Sequence, residues 1–244
     1  MKTVLITGAT SGIGMALANT YRASGWQVIA CGRSTEKLTH ALGDPDESLR
    51  FCVFDMDKRD AVIANTRHLD RIDLVILNAG TCEYIDLHEG FDSALFERVI
   101  RTNLIGTGYC IEALLPRIKT GGQLGIISST VTLLPLNRAE AYGSSKAALD
   151  YLSRTLAIDL AQQQIDVSLI RPGFVDTPLT AKNTFPMPGM ISSDKACRYI
   201  VNGLAKRKQE INFPRGFYYA LKSISLLPNS LWRRIAINTV GAQK

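Results

Sequence analysis

Thr7-Gly8-Ala9-Thr10-Ser11-Gly12-Ile13-Gly14 decides the fold of this 244-residue chain. The octet ends a short β-rich run, Thr3–Thr7, and opens a segment (residues 12–21) in which Ile13, Leu17 and Tyr21 recur at helical spacing. Glycines in such a turn let backbone approach a pyrophosphate closely. The helix start adds free N–H groups and the positive end of the helix dipole. Strand, glycine-rich turn and helix in this order predict a dinucleotide site at the first βα junction. The bland reading of the same residues is a tight βα turn with nothing bound. The spacing is GxxxGxG and differs from the GxGxxG of other dinucleotide folds.

Working outward, further β-rich runs occupy residues 27–31, 49–54, 73–77, 123–128, 166–170 and 210–213. Helical patterns occupy residues 89–115, 142–163 and 193–206, the first continuing past Gly106. The strands carry Val, Ile and Leu on both faces and are separated by helices. That pattern predicts an α/β protein with a parallel sheet covered on both sides. Neither a domain boundary nor an internal repeat interrupts it, so residues 1–244 read as a single domain. Residues 176–192, with Pro178, Pro186, Pro188 and Gly189, show little periodicity. They lie between a strand end and a helix, where an active-site lid is expected.

Composition narrows the class. At 46% hydrophobic the chain can bury a sizeable core, yet no apolar run approaches the roughly 20 residues that span a bilayer. The N-terminus reads as a strand and not as a secretion signal. Cys31, Cys52, Cys82, Cys110 and Cys197 are scattered and odd in number, which reads as reduced thiols in a cytoplasmic protein. His40, His68 and His88 lie outside every glycine-rich or strand-end motif. A zinc site or a Ser-His-Asp hydrolase is therefore poorly supported. Residues 206–244 hold eight basic side chains and one acid, Glu210, a balance of +7. The total of +6 leaves the first 205 residues at −1. The basic character belongs to the tail, so no nucleic-acid partner is expected.

Tyr142-Gly143-Ser144-Ser145-Lys146 places a phenol and an ammonium four residues apart, on one face of a helix. A nearby positive charge favours a phenolate, so the pair can move a proton near neutral pH. Ser129, thirteen residues upstream, ends an apolar run and can bring a hydroxyl to the same spot, with Ser128 as a competitor. Alone, the pair is equally a surface Tyr and Lys on an ordinary helix.

Together, TGxxxGIG at residues 7–14, Asn78-Ala79-Gly80, Asn103, Ser129, Tyr142, Lys146 and Pro172-Gly173 resemble the compact branch of the short-chain dehydrogenase/reductase family in order and spacing. The likeness spans about residues 1–205. It implies a Rossmann-type doubly wound sheet of order 3-2-1-4-5-6-7 and a nicotinamide cofactor. It also implies hydride exchange between a carbonyl and an alcohol. Tyr142 would then be the acid/base, and Lys146 would lower its pKa and bind the nicotinamide ribose. Ser129 would orient the substrate oxygen, and Asn103 would hold a relay water. Gly8, Thr10, Ser11, Gly12, Ile13 and Gly14 would cradle the phosphates. Asp55 and Met56 would line the adenine pocket. Asn78 would brace the fourth strand, with Ala79 and Gly80 near the adenosine half. Pro172, Gly173, Val175 and Thr177 would flank the nicotinamide. At the end of the second strand stands Gly32 followed by Arg33, with no carboxylate to repel a 2′-phosphate. NADP(H) is therefore expected over NAD(H), the other reading of Arg33 being a solvated loop charge.

The chain departs from the family after residue 213. Residues 215–244 read as a helical, basic extension, with Phe217, Leu221, Ile224 and Leu227 at helical spacing and Leu231, Trp232, Ile235 and Ala236 beyond Pro228. This face is expected to cover the core or a partner subunit in a homodimer or homotetramer. Its alternative is peripheral contact with an anionic membrane. Val131, Leu133, Leu134, Phe174, Leu179, Phe185 and Met187 are candidates for an apolar substrate pocket, or for core and lid packing. A cofactor-binding regulatory protein without catalysis is the other functional reading. A serine hydrolase built on Ser129 lacks the histidine and the GxSxG turn.

Overall fold

The computed structural model describes residues 1–183 and 185–241. Thr184 and residues 242–244 lie outside the described residues, and Lys244, one of the tail's basic residues, falls there. Seven parallel strands form the main sheet in the order β3-β2-β1-β4-β5-β6-β9. They are β1 (Thr3–Thr7), β2 (Gln27–Gly32), β3 (Leu49–Val53), β4 (Ile72–Leu77), β5 (Ile118–Ile127), β6 (Asp166–Pro172) and β9 (Glu210–Phe213). A two-residue pair, β7 (Val175–Asp176) and β8 (Ile191–Ser192), ties the two ends of the lid together outside this sheet. The observed order is the doubly wound order expected from the sequence, with β9 as its seventh strand.

Strand alternation explains the two layers of core. In β1, Val4 and Ile6 face one side, packing with Leu17 of α1 (Gly12–Ala23), Leu38 of α2 (Thr35–Leu42) and Ile200 of α7 (Ser193–Ala205). Leu5 faces the other side, with Val62 of α3 (Arg59–Thr66), Leu114 of α5 (Gly106–Leu114) and Leu149 of α6 (Glu140–Asp159). All of these side chains are buried, each contributing roughly 1.5–3 kcal/mol against exposure. A two-sided apolar strand is stable only under helices on both faces.

The helical pattern at 89–115 resolves into three pieces. Asp92 accepts the amide of Leu95 at 2.8 Å and so starts α4 at Ser93–Ile100, later than the sequence pattern indicates. A π-helical turn, Arg101–Ile105, then runs into α5. The chain ends in α8 (Arg215–Ile224) and α9 (Asn229–Gly241). Tyr218 of α8 is buried, and α9 is fastened by Trp232, whose indole N–H donates to the carbonyl of Pro135 at 3.0 Å. No helix among the described residues is long and apolar enough to cross a membrane.

Candidate active site

A cleft of about 540 Å³ opens at the carboxyl ends of β1, β4, β5 and β6, where chain direction across the sheet reverses. Such crevices are where open α/β sheets hold ligands. Its floor is held by Thr7, whose hydroxyl accepts the amides of Asn78 and Ala79 at 2.9 and 3.0 Å. The Asn78 amide group donates back to the carbonyls of Thr7 and Gly8 at 3.0 and 3.2 Å. The turn after β1 is thereby fastened to the end of β4. Gly8 sits at φ +68°, in the left-handed region, and a Cβ on Gly14 would stand 2.2 Å from the Gly8 carbonyl oxygen. Only glycine fits at either position. The glycines leave the turn's backbone facing the cleft.

Gly8, Thr10, Ser11, Gly12 and Ile13 line the cleft, while Gly14 supports the turn from beneath. Arg33, Asp55 and Met56 line its far end, Arg33 being exposed and Met56 buried. Asn78, Ala79 and Gly80 line the middle, and Pro172, Gly173, Val175 and Thr177 the opposite wall. Thr177 approaches the glycine turn closely, its methyl 2.9 Å from where a Gly12 Cβ would stand.

The chemical groups sit beside that wall. Tyr142 and Lys146 lie one turn apart on α6, with the Lys146 ammonium 5.7 Å from the Tyr142 ring centre. Lys146 is buried and donates to the carbonyl of Ile127, at the end of β5, at 2.9 Å. Ser129 begins a short 3-10 turn by accepting the amide of Val131 at 3.2 Å, and its hydroxyl is near enough to the Tyr142 phenol to favour the phenolate. Ser128 is committed elsewhere, donating to Asp150 at 2.5 Å and to the carbonyl of Lys146 at 3.1 Å. Asn103 lies in the π-helical turn, fully buried. Its amide group donates to the carbonyl of Thr81 at 2.9 Å and to Ser145 at 3.0 Å, and accepts the Thr81 amide at 2.7 Å. Its side chain thus braces the β4 loop against α6 and does not line the cleft.

Burial pushes the Tyr142 phenol well above its ordinary range; the neighbouring Cys82 adds to this, and the Ser129 hydroxyl opposes it. Burial also pushes Lys146 down to about 8, against the pull of Cys82 and Asp150. In the protein itself desolvation is thus the largest influence on the phenol. The expectation from sequence, in which Lys146 and a cationic nicotinamide ring depress the phenol, concerns the site with the oxidised cofactor bound.

Several neighbours escape sequence reasoning. Cys82 lies two residues beyond Asn78-Ala79-Gly80, half-buried, and burial raises its thiol pKa. Tyr84 donates to Asn183 of the lid at 2.9 Å, and its ring meets Phe185 edge-on at 5.6 Å. Phe185 meets Phe174 at 6.1 Å, and Phe174 meets Phe217 of α8 at 5.6 Å. This aromatic chain runs from the β4 loop through the lid to the tail. Thr180 pins the lid by donating to the carbonyl of Val175 at 2.6 Å. Of the apolar residues suggested for a substrate pocket, Leu179 lines the cleft, Phe174 and Phe185 join the aromatic chain, and Leu134 is buried. For Cys82 the proximity to Asn78-Ala79-Gly80 is a usable signal; Tyr84 and Asn183 are 99 residues apart and give none.

The family model for short chain dehydrogenases matches residues 2–186. An uncharacterized oxidoreductase of Myxococcus xanthus is 33% identical over 247 residues, covering 95% of this chain and 94% of that protein. A fatty acyl-CoA reductase of Acinetobacter baylyi is 31% identical over 221 residues, covering 86% of this chain and 75% of that protein. A short chain dehydrogenase of Burkholderia cenocepacia, solved in complex with NADP, has a TM-score of 0.84 at 20% identity, covering 97% of this chain and 99% of that one.

Proposed function

The chain belongs to the short-chain dehydrogenase/reductase family and is an NAD(P)H-dependent oxidoreductase, and we propose that it uses NADP(H) to reduce a hydrophobic aldehyde or ketone, with Tyr142 as the proton donor. One observation carries the reading. A half-buried phenol, beside a serine hydroxyl and one turn from a buried lysine, shares a cleft with a glycine turn whose backbone faces it. A dinucleotide fits that turn, because the glycines leave backbone facing the space where a pyrophosphate would approach.

When bound, the cofactor supplies a hydride from its nicotinamide. Gly8 to Ile13 hold the phosphates, Asp55 and Met56 the adenine, and Asn78, Ala79 and Gly80 the adenosine half. Pro172, Gly173, Val175 and Thr177 flank the nicotinamide. Lys146 binds the ribose and restores the proton of Tyr142. Ser129 donates to the carbonyl oxygen and fixes its angle to the phenol. Tyr142 gives its proton to that oxygen as negative charge develops there. Asn103 keeps α6 in position through Thr81 and Ser145.

Arg33 supports the NADP(H) preference. It is exposed at the cleft end, and β2 finishes at Gly32 with no carboxylate. The aromatic chain Tyr84–Phe185–Phe174–Phe217 supports an apolar substrate body. Since one relative is a fatty acyl-CoA reductase, long-chain aldehydes and acyl thioesters belong in the screen with ketones and quinones. Tyr142→Phe is expected to lower kcat by at least ~100-fold with NADPH binding retained; near-normal turnover would refute the acid assignment. Arg33→Ala is expected to weaken NADPH without weakening NADH, and an NADH preference in the unaltered protein would end that part of the reading. A purely regulatory dinucleotide sensor has no need of an acid beside a serine.

A further inference from the structure

The tail spends only part of its apolar surface on the body, through Phe217, Tyr218, Leu221, Ile224 and Trp232. From residue 215 to 237 only Tyr218 is buried. Leu226 is 82% exposed at the tip of the turn between α8 and α9, and Leu227 and Leu231 beside it are 36% and 42% exposed. Ile237 adds 54%, and Leu136 adds 40% next to Pro135, where Trp232 fastens α9. Leu226, Leu227 and Leu231 thus gather exposed apolar surface at the α8–α9 turn.

Its charge is one-sided. Arg215, Lys222, Arg233 and Arg234 flank the patch, all exposed, and no Asp or Glu follows Glu210 in the sequence. From these facts we infer that the α8–α9 turn docks on an anionic lipid surface, with Leu226 and Leu227 entering the acyl boundary and Lys222, Arg233 and Arg234 meeting the headgroups. Leucine and tryptophan among basic residues are the composition of an interfacial helix. A second copy is the weaker occupant. A two-fold contact through the same patch would bring like charges together, with no carboxylate of the segment to neutralise them. A bilayer with anionic headgroups supplies the missing charge.

Vesicle co-sedimentation of the full chain tests this. The protein is expected to pellet with vesicles of equal parts phosphatidylglycerol and phosphatidylcholine at low salt, and to stay in solution with phosphatidylcholine alone. Raised salt should release it. Leu226→Asp with Leu227→Asp should abolish pelleting, and both side chains are exposed enough for the fold to tolerate the change. Arg233→Gln with Arg234→Gln should lower binding about fivefold for each charge removed. NADPH binding should be unchanged in both variants, which shows that they fold. Failure to pellet with the anionic vesicles overturns the inference, as does normal pelleting of the aspartate variant. Light scattering adds the remaining outcome. A dimer that the aspartate variant dissociates, with no vesicle binding in the unaltered chain, assigns the face to a second copy and overturns it too.

Discussion

Lys146 and Arg171 are both buried cations, 4% and 2% exposed, and both feel Asp150, yet they are treated in opposite ways. Arg171 is paired with two carboxylates. It donates to Asp150 at 2.8 Å, to Glu210 at 2.9 Å and to Asn212 at 3.3 Å, so it joins β6 to α6 and to the edge strand β9. Burial works against its charge, but the two carboxylates outweigh it and hold the guanidinium above its ordinary range. Lys146 has the neutral carbonyl of Ile127 as its hydrogen-bond acceptor, and burial wins. The planar fork of arginine suits a fixed network, whereas a lysine ammonium gives up its proton when desolvated. A fully compensated cation holds the sheet together. A half-compensated one, next to Tyr142, is left free to handle a proton.

Arg171→Met attacks this contrast with the largest effect. It removes the buried cation between Asp150 and Glu210, leaving Asp150 with Ser128 and Glu210 with Arg154, and a loss of about 3 kcal/mol is expected in urea denaturation. A loss below ~1 kcal/mol would mean that Arg171 is not the keystone the contrast requires. The pH dependence of stability comes next, and its two arms have opposite signs. With Lys146 down at about 8 against an ordinary 10.5, the unfolded chain holds more protons between those values. Its burial penalty is therefore present below about 8 and relieved as pH rises toward 10.5, worth up to about 3 kcal/mol. For Glu210, burial raises the pKa, but Arg154 and Arg171 outweigh it and hold the carboxyl at about 2. Its contribution is present above 4.5 and lost as pH falls toward 2. Melting temperatures across pH, compared with Lys146→Met and Arg171→Met, isolate each arm; an alkaline rise that survives Lys146→Met would break the assignment. At neutral pH Lys146→Met is expected to keep or slightly raise stability while abolishing turnover. The smallest effect belongs to Arg154. It donates to the same Glu210 at 2.9 Å, but its side chain is 60% exposed. Arg154→Ala should cost under ~1 kcal/mol, separating exposed from buried partners of one carboxylate.

Features that depend on near neighbours in the chain are legible in the sequence itself. The glycine octet, the two-faced apolar strands and the Tyr142–Lys146 spacing are local patterns, and the cleft contains what they indicate. The β2 end is equally readable, because Gly32-Arg33 is a dipeptide. Features created by long-range packing are not. Tyr84 and Asn183 meet only because the lid folds back over the β4 loop. Arg171 gives no signal as a residue within an apolar strand, since Asp150 and Glu210 come from different elements. The desolvation that acts on Tyr142 is likewise a property of the packed site. The short helices α2 and α3 have eight residues each, too few for a clear period.

The π-helical turn that carries Asn103 has a further consequence, concerning phase. A π turn closes five residues back instead of four, so everything after it is set back by one position, ~100° around the axis. Upstream, Val99 points into the core; downstream, Cys110 and Leu114 do. Val99 and Cys110, eleven residues apart, would share one face of an uninterrupted α-helix (~20° apart); the extra residue turns them toward different clusters, Val99 beside Ile85 and Ala141 and Cys110 beneath the sheet. Deleting any single residue within Arg101–Ile105 would leave composition almost untouched, yet it would swing the buried stripe of α5 by ~100° relative to α4. At this point the site depends on counting residues more than on their chemistry.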